Sequence, residues 1–436
     1  MADKHNPLAS VPTAGFQCAG SPLFEEFLAL SQPGEPTACD VLGPDDALVI
    51  IDMQADFVPR DASNPKGGRF GVAEGNHVVD EIGTLIDAAV RGGSTIVASR
   101  DYHPVDHISF DTQGGIFPTH CVQGSDGSKF LPELGAKLAF AMKVMGSEKV
   151  MVVFKAFHED VDSFGALPYW EGGEGRIAKG KRATMPEIGT CLGCAKAPWS
   201  GSLLLKTSGM RTSDGIDIDA PPDVLATLID GVDRCAPSPP PASLPSATRV
   251  HHARSDSDRG IARIALGSGM RTMQEVLKGK KRIFVCGLAL DFCVMDTCLN
   301  AAHEASGLTG QEIHMVLDAA RAAHIPGIGP HGTGFLSDPK EVAAKLKAAG
   351  VSLVSTGHVT GDYRDPERSS SPAAAAESFP HCLGPLGLLA AAVDATIKDG
   401  KYSLVLASKL QMLSGKVRAA RACPHDRRRV RASHES

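Results

Sequence analysis

Asp101-x-His103-x-x-x-His107 places a carboxylate and two imidazoles in one short stretch, and His120 adds a third imidazole after a turn-rich run. Such a set can converge on one divalent ion and leave positions open for water or substrate. The donor types suit zinc, with manganese or iron as alternatives. Histidines of a polar surface loop would look the same in isolation, but this loop starts directly beyond an apolar run. A second set is Asp52, Lys155 and Cys293, each at or shortly after the end of a separate apolar run. Together they offer a thiol nucleophile, a cation to favour the thiolate, and a carboxylate to take and return a proton. Taken singly, Asp52 reads as a turn cap, Lys155 as a surface residue and Cys293 as a packing cysteine. Cys293 begins a helical pattern (Val294, Thr297, Cys298, Ala301), and the positive field of a helix N-terminus favours the thiolate.

The elements that must position these groups are legible. Residues 47–51 form a continuous apolar run, as in a strand covered on both faces. A helical pattern follows over about 75–91, then a Gly-Gly stop and a second strand at 94–99. Right-handed crossovers make parallel sheets from such units, and ligands bind beyond the carboxyl ends of the strands. Further strands at 149–154, 283–286, 313–317 and 351–355, with a helix at about 339–349, predict an α/β fold: a three-layer, doubly wound sheet of about six parallel strands.

This core spans 45–357. Residues 1–44 are a Pro-, Ser-, Ala- and Gly-rich N-terminal extension, with an apolar patch at 24–30 able to pack as a helix. A largely irregular insertion occupies about 171–268, and 358–436 form a C-terminal extension with a basic tail at 427–431. Within the insertion, Ser208-Gly-Met-Arg-Thr212 recurs at 268–272, and Cys191 and Cys194 have half the spacing of a zinc site with no second pair to complete it.

Bulk properties narrow the partners. At 436 residues, 43% hydrophobic and 22% charged, the chain can bury a sizeable core. A formal net charge of -6 gives no general pull toward nucleic acid or anionic membrane. No run approaches the roughly 18 apolar residues of a membrane span, and the first residues lack a signal-like apolar segment. A soluble, cytoplasmic protein is expected, with the basic tail as a candidate nuclear address. Eleven cysteines at irregular spacings read as reduced thiols.

Five blocks, IDMQADF, SRDYHPVDHISF, FPTHCVQG, VFKAF and VCGLALDFCVMDT, occur in that order. In them the chain resembles the isochorismatase-like cysteine hydrolases and, among these, the nicotinamidase (pyrazinamidase) branch, over roughly 46–170 and 271–356. The resemblance implies Cys293 as nucleophile, Asp52 as general base and acid, and Lys155 as the cation of a triad. It implies Asp101, His103 and His120 as metal ligands, with His107 at the remaining metal-site histidine. Phe57, Phe117 (where many relatives carry Trp) and Leu288 fall in the substrate pocket. The N–H groups of Ala289 and Cys293 would serve a tetrahedral oxyanion, with a cis peptide between Leu288 and Ala289. The activity implied is hydrolysis of nicotinamide to nicotinic acid and ammonia through a thioester, in NAD salvage, with a divalent metal orienting the pyridine ring. The only partner implied is this small molecule, and a homo-oligomer stays open. So do two alternatives: an amidohydrolase for another carboxamide, and a non-catalytic scaffold on the same fold. The scaffold has no physical need of so complete a set of reactive residues.

Overall fold

In the computed structural model, the structure describes residues 15–17, 20–107, 109–156, 164–167, 203–205, 211–212, 215–219 and 271–362. The chain divides into two compact units, 1–364 and 365–436, and all described residues lie in the first. Most of the insertion, the Cys191/Cys194 pair and the basic tail lie outside the described residues.

In chain order the elements are helix α1 (Pro22–Ser31), strand β1 (Ala47–Ile51), α2 (Val79–Gly92), β2 (Thr95–Asp101), α3 (Pro132–Met145) and β3 (Val150–Lys155). Four short strands follow: β4 (Leu203–Leu205), β5 (Arg211–Thr212), β6 (Gly215–Ile216) and β7 (Arg271–Thr272). Then come α4 (Met273–Leu277), β8 (Arg282–Leu288), α5 (Met295–Ala302), β9 (Glu312–Arg321), α6 (Pro339–Ala348), β10 (Ser352–Val354) and α7 (Thr356–Thr360). The main sheet has the order β10-β9-β8-β1-β2-β3-β4-β7. Its first six members in that order are mutually parallel, as the sequence predicts. The expected six strands are extended to eight, because β4 and β7 add to the edge beyond β3 through antiparallel pairings. The long interval between β3 and β8 therefore contributes ladder to the sheet. The two copies of the repeated pentapeptide end in strands with different antiparallel partners, β5 on β6 and β7 on β4.

β1 lies at the centre, and its side chains alternate between two cores. Leu48 and Ile50 pack with Ile82, Leu85, Leu134 and Leu138 of α2 and α3. Ala47, Val49 and Ile51 pack on the opposite face with Phe24, Phe27, Cys298 and Leu346 of α1, α5 and α6. Each fully buried aliphatic side chain contributes about 1.5–3 kcal/mol, so this strand anchors both layers. β8 comes close beside it at Gly287, where a Cβ would stand 2.1 Å from the Ile51 carbonyl oxygen. Gly287 also has φ of +117°, so both space and backbone require glycine there. α3 escaped the sequence reading, although Pro132 at its start and Leu134, Leu138, Ala141 and Met142 mark one buried face. The apolar patch at 24–30 forms α1, whose Leu23 and Phe24 N–H groups are capped by the Glu74 carboxylate. Among the described residues no helix is long and apolar enough to cross a membrane.

Candidate active site

The strand order reverses at β1, with β2 and β3 on one side and β8 and β9 on the other, and the site lies at the carboxyl ends around this point. Asp52 follows β1. Asp101 ends β2 and Lys155 ends β3, directly opposite in register. Lys155 is fully buried, with its ammonium 2.8 Å from Asp52 Oδ2, 3.6 Å from Cys293 Sγ and paired with Asp101 Oδ1. The three residues expected to act together are thus brought together, and Asp101 joins them.

Three non-glycine residues beside the site are left-handed: Asp52, Cys121 and Ala156, with φ of +48°, +46° and +53°. Each costs on the order of 1–3 kcal/mol, held by the surrounding packing. They adjoin or are site residues: Asp52 itself, Cys121 after His120, and Ala156 after Lys155. Asp52 is further fixed by Ser99, whose hydroxyl donates to Oδ1 at 2.6 Å while its oxygen accepts the Asp52 N–H at 3.1 Å.

The electrostatics differ from the expectation at Cys293. The thiol lies in a π-type turn, Leu290–Val294, ahead of α5 rather than in its first α-helical turn. Burial pushes the thiol well above its usual range, and Lys155 opposes that shift without reversing it. The resting sulfur is therefore a neutral thiol, and a base must take its proton. Burial also raises the Asp52 carboxyl, to about 6, against the pull of Lys155. Asp101 is held well below the usual carboxylate range: burial acts upward, but Lys155 and His103 outweigh it.

Asp101, His103 and His120 present donor atoms within 4.8 Å of one another, all buried. The tautomers suit a metal. His103 Nδ1 lies 2.9 Å from the Ala156 carbonyl and His120 Nδ1 lies 2.7 Å from the Pro118 carbonyl. A carbonyl only accepts, so each Nδ1 carries a proton and each Nε2 is the nitrogen left to meet a metal. Burial, then His103, lowers His120 to about 3, which keeps its imidazole neutral. One carboxylate and two imidazoles whose Nδ1 atoms are both engaged fit a divalent ion with open positions. His107 packs against His103 with ring centroids 4.1 Å apart, but its Nδ1 accepts the Ser109 N–H at 3.3 Å. Its neutral ring is thus protonated at Nε2, the opposite tautomer, and it stands outside the three-residue donor group.

A narrow slot, partly open to solvent, lies between the thiol and this group. Phe57 and Phe117 line it, joined by Phe70, Phe164 and Phe292, with Asp101, His120, Ala289 and Cys293 completing the wall. Leu288 does not line it: its side chain is packed in the core toward Gly75, and only the next residue, across a cis peptide bond, reaches the cavity. The Ala289 carbonyl accepts the N–H groups of Phe292 and Val294, both at 3.1 Å, closing the turn that carries Cys293.

Several supporting residues were missed. Gln54 accepts the Asp101 N–H and donates to the Asp101 carbonyl, both at 2.8 Å. Asp56 accepts the Cys121 N–H at 2.8 Å, and Gly127 is confined because a Cβ would lie 1.9 Å from the Asp56 carboxylate. Both polar residues sit in IDMQADF, where two polar residues amid an apolar stretch at a strand end were the available signal. Phe70 lies in a Gly-rich loop without periodicity and gave none.

Residues 46–144 match the family model described as Isochorismatase domain. A nicotinamidase of Escherichia coli is 32% identical over 132 residues, 27% of this chain and 59% of the relative. One from Saccharomyces cerevisiae is 28% identical over 144 residues, 28% of this chain and 61% of the relative. The chain thus spans somewhat more than half the length of these curated relatives. A crystal structure of a pyrazinamidase of Pyrococcus horikoshii in complex with zinc is 22% identical, covering 72% of this chain and 99% of that one, at a TM-score of 0.36. The domain match covers the stretch that supplies Asp52, Asp101, His103 and His120, and the chain is thus similar there to isochorismatase domains and, over part of its length, to nicotinamidases.

Proposed function

We propose that this chain is a cysteine amidohydrolase that converts nicotinamide to nicotinic acid and ammonia, in NAD salvage. One observation carries the reading: a buried thiol with its own base and cation faces a metal-donor group across a slot walled by phenylalanines. Such a slot suits a flat aromatic ring, with a carboxamide at the thiol end and a lone-pair heteroatom at the other.

Asp52 takes the thiol proton, and the sulfur attacks the carboxamide carbon as the C=O electrons move onto oxygen. The N–H groups of Ala289 and Cys293 are the proposed donors to that oxyanion. Collapse breaks the C–N bond, and Asp52 passes its proton to the departing nitrogen, releasing ammonia. Asp52 then takes a proton from water, whose oxygen attacks the thioester. The C–S bond breaks, the thiol regains its proton and the acid leaves. Lys155 stays an ammonium throughout and steadies the sulfur and both carboxylates. A divalent ion on Asp101, His103 and His120 would supply a Lewis-acidic point for the ring nitrogen.

Purified protein given nicotinamide should release ammonia, and chelation should raise KM at least about tenfold, the equivalent of about 1.4 kcal/mol of ring binding. Metal-loaded protein that releases none would overturn the substrate assignment. Because Asp52 must be ionised to accept a proton and its carboxyl stands at about 6, kcat/KM should fall as the pH drops below that value. The fall should be roughly tenfold per pH unit. A rate that stays flat through this range would remove Asp52 as the base.

A further inference from the structure

Residues 215–219 belong to the interval marked in the sequence as an insertion, yet they pack behind Asp101. Ile218 is 5% exposed, in the core that includes Leu134, and lies next to Gly135 of α3. The Asp219 carboxylate accepts the Phe130 N–H at 2.8 Å, and the Asp219 carbonyl accepts from Arg100 Nη1 at 2.8 Å. Arg100 is 1% exposed, its guanidinium lying over the rings of Tyr102, Phe130 and Phe154 at 5.1–5.5 Å. Its Nε and Nη2 both donate to the Ser128 carbonyl, at 2.8 and 2.6 Å. That carbonyl also accepts from Gln54 Nε2 at 2.7 Å, and Gln54 clamps both backbone groups of Asp101. An unbroken path of hydrogen bonds therefore runs from Asp219 through Arg100, Ser128 and Gln54 to Asp101.

A buried guanidinium needs an acceptor on every side, because an unmet donor in the core is costly. The parallel sheet and the loop before α3 provide Ser128, and the insertion provides Asp219. Arg100 and Asp101 are consecutive on β2, so what fixes the first limits the backbone freedom of the second. Metal–carboxylate bonds tolerate only a few tenths of an ångström of error.

We propose that the insertion residue Asp219 is a positioning residue which, through Arg100, Ser128 and Gln54, sets the affinity of the Asp101, His103 and His120 group for a divalent metal. This rests on the metal reading of that group. Residues 215–219 of the insertion are thereby coupled to the site from behind, and none of these five lines the substrate slot.

The test is a zinc dissociation constant, measured by competition with a chromophoric chelator on the full chain, together with Tm. Asp219→Ala keeps the carbonyl but removes the carboxylate that anchors it to the Phe130 N–H, and should thereby loosen the carbonyl on Arg100 and weaken zinc binding by about two- to thirtyfold. Asp219→Asn, which keeps an acceptor for the Phe130 N–H, should restore it. Leu134→Ala, a core truncation on α3, should lower Tm without changing zinc affinity. In a Gln54→Ala background the effect of Asp219→Ala should shrink, because the path is already cut. Equal zinc affinity in wild type and Asp219→Ala overturns the proposal alone, and so does equal weakening by Leu134→Ala, which would mean general loosening. Wild type that binds no zinc overturns the proposal and the metal reading together.

Discussion

Cys293→Ala protein should remain folded and bind nicotinamide, yet lose turnover by at least about 10⁴-fold, the scale seen when a covalent nucleophile is deleted. The expectation follows from the slot: Cys293 is the thiol among its lining residues, beside Lys155 and within reach of Asp52. Deleting one sulfur from so small a side chain leaves a void too small to unfold a core of this size. Cys293→Ser separates nucleophile from packing. Its hydroxyl is far less acidic than the thiol, so Asp52, with a carboxyl near 6, deprotonates it poorly and turnover should stay lost although the shape is restored. Ammonia release with Tm as the folding control decides the matter. If the Ala variant retained more than about a hundredth of wild-type turnover, the nucleophile would lie elsewhere.

Lys155→Met should damage stability as well as catalysis. The ammonium sits between two buried carboxylates, Asp52 and Asp101, and removing it leaves like charges facing each other in the core. Breaking a buried ion pair from one side costs about 3–5 kcal/mol. In a domain of this size that corresponds to a fall in Tm of roughly 6 to 20 °C. Turnover should drop with it, because both the carboxylates and the sulfur lose their cation. Adding Asp52→Asn to Lys155→Met should recover part of the lost Tm without recovering activity, a non-additivity expected of groups in one network. An unchanged Tm in the single variant would show that the carboxylates simply take up protons, and would contradict a shared ion cluster.

The sequence carried the site's framework well because the framework is local. Each of these strands is a largely apolar run that leads into a polar residue: Asp101 and Lys155 end β2 and β3, and Asp52 directly follows β1. What it hid depends on distant partners. The thiol's ionisation follows from burial on all sides, which outweighs the helix field inferred from neighbouring residues. His107 lies four residues from His103 and matches it in type, but the Ser109 N–H turns its lone pair away. Phe164 and Phe292 reach the slot from opposite sides of the insertion, and the β4 and β7 pairings join segments that share no pattern. Gln54 and Asp219 act on Asp101 through backbone contacts that no spacing rule encodes.

The register that sets Asp101 against Lys155 also bears on how the sheet assembles. Alternate residues of a strand face opposite sides, so a slip of β3 by a single residue would turn Lys155 into the layer of Val and Leu side chains. An ammonium stranded there has no carboxylate within reach, and the two carboxylates left behind repel. A misaligned sheet is thus penalised by the charges that serve the chemistry, and only the chain that has found its proper alignment can both fold and react.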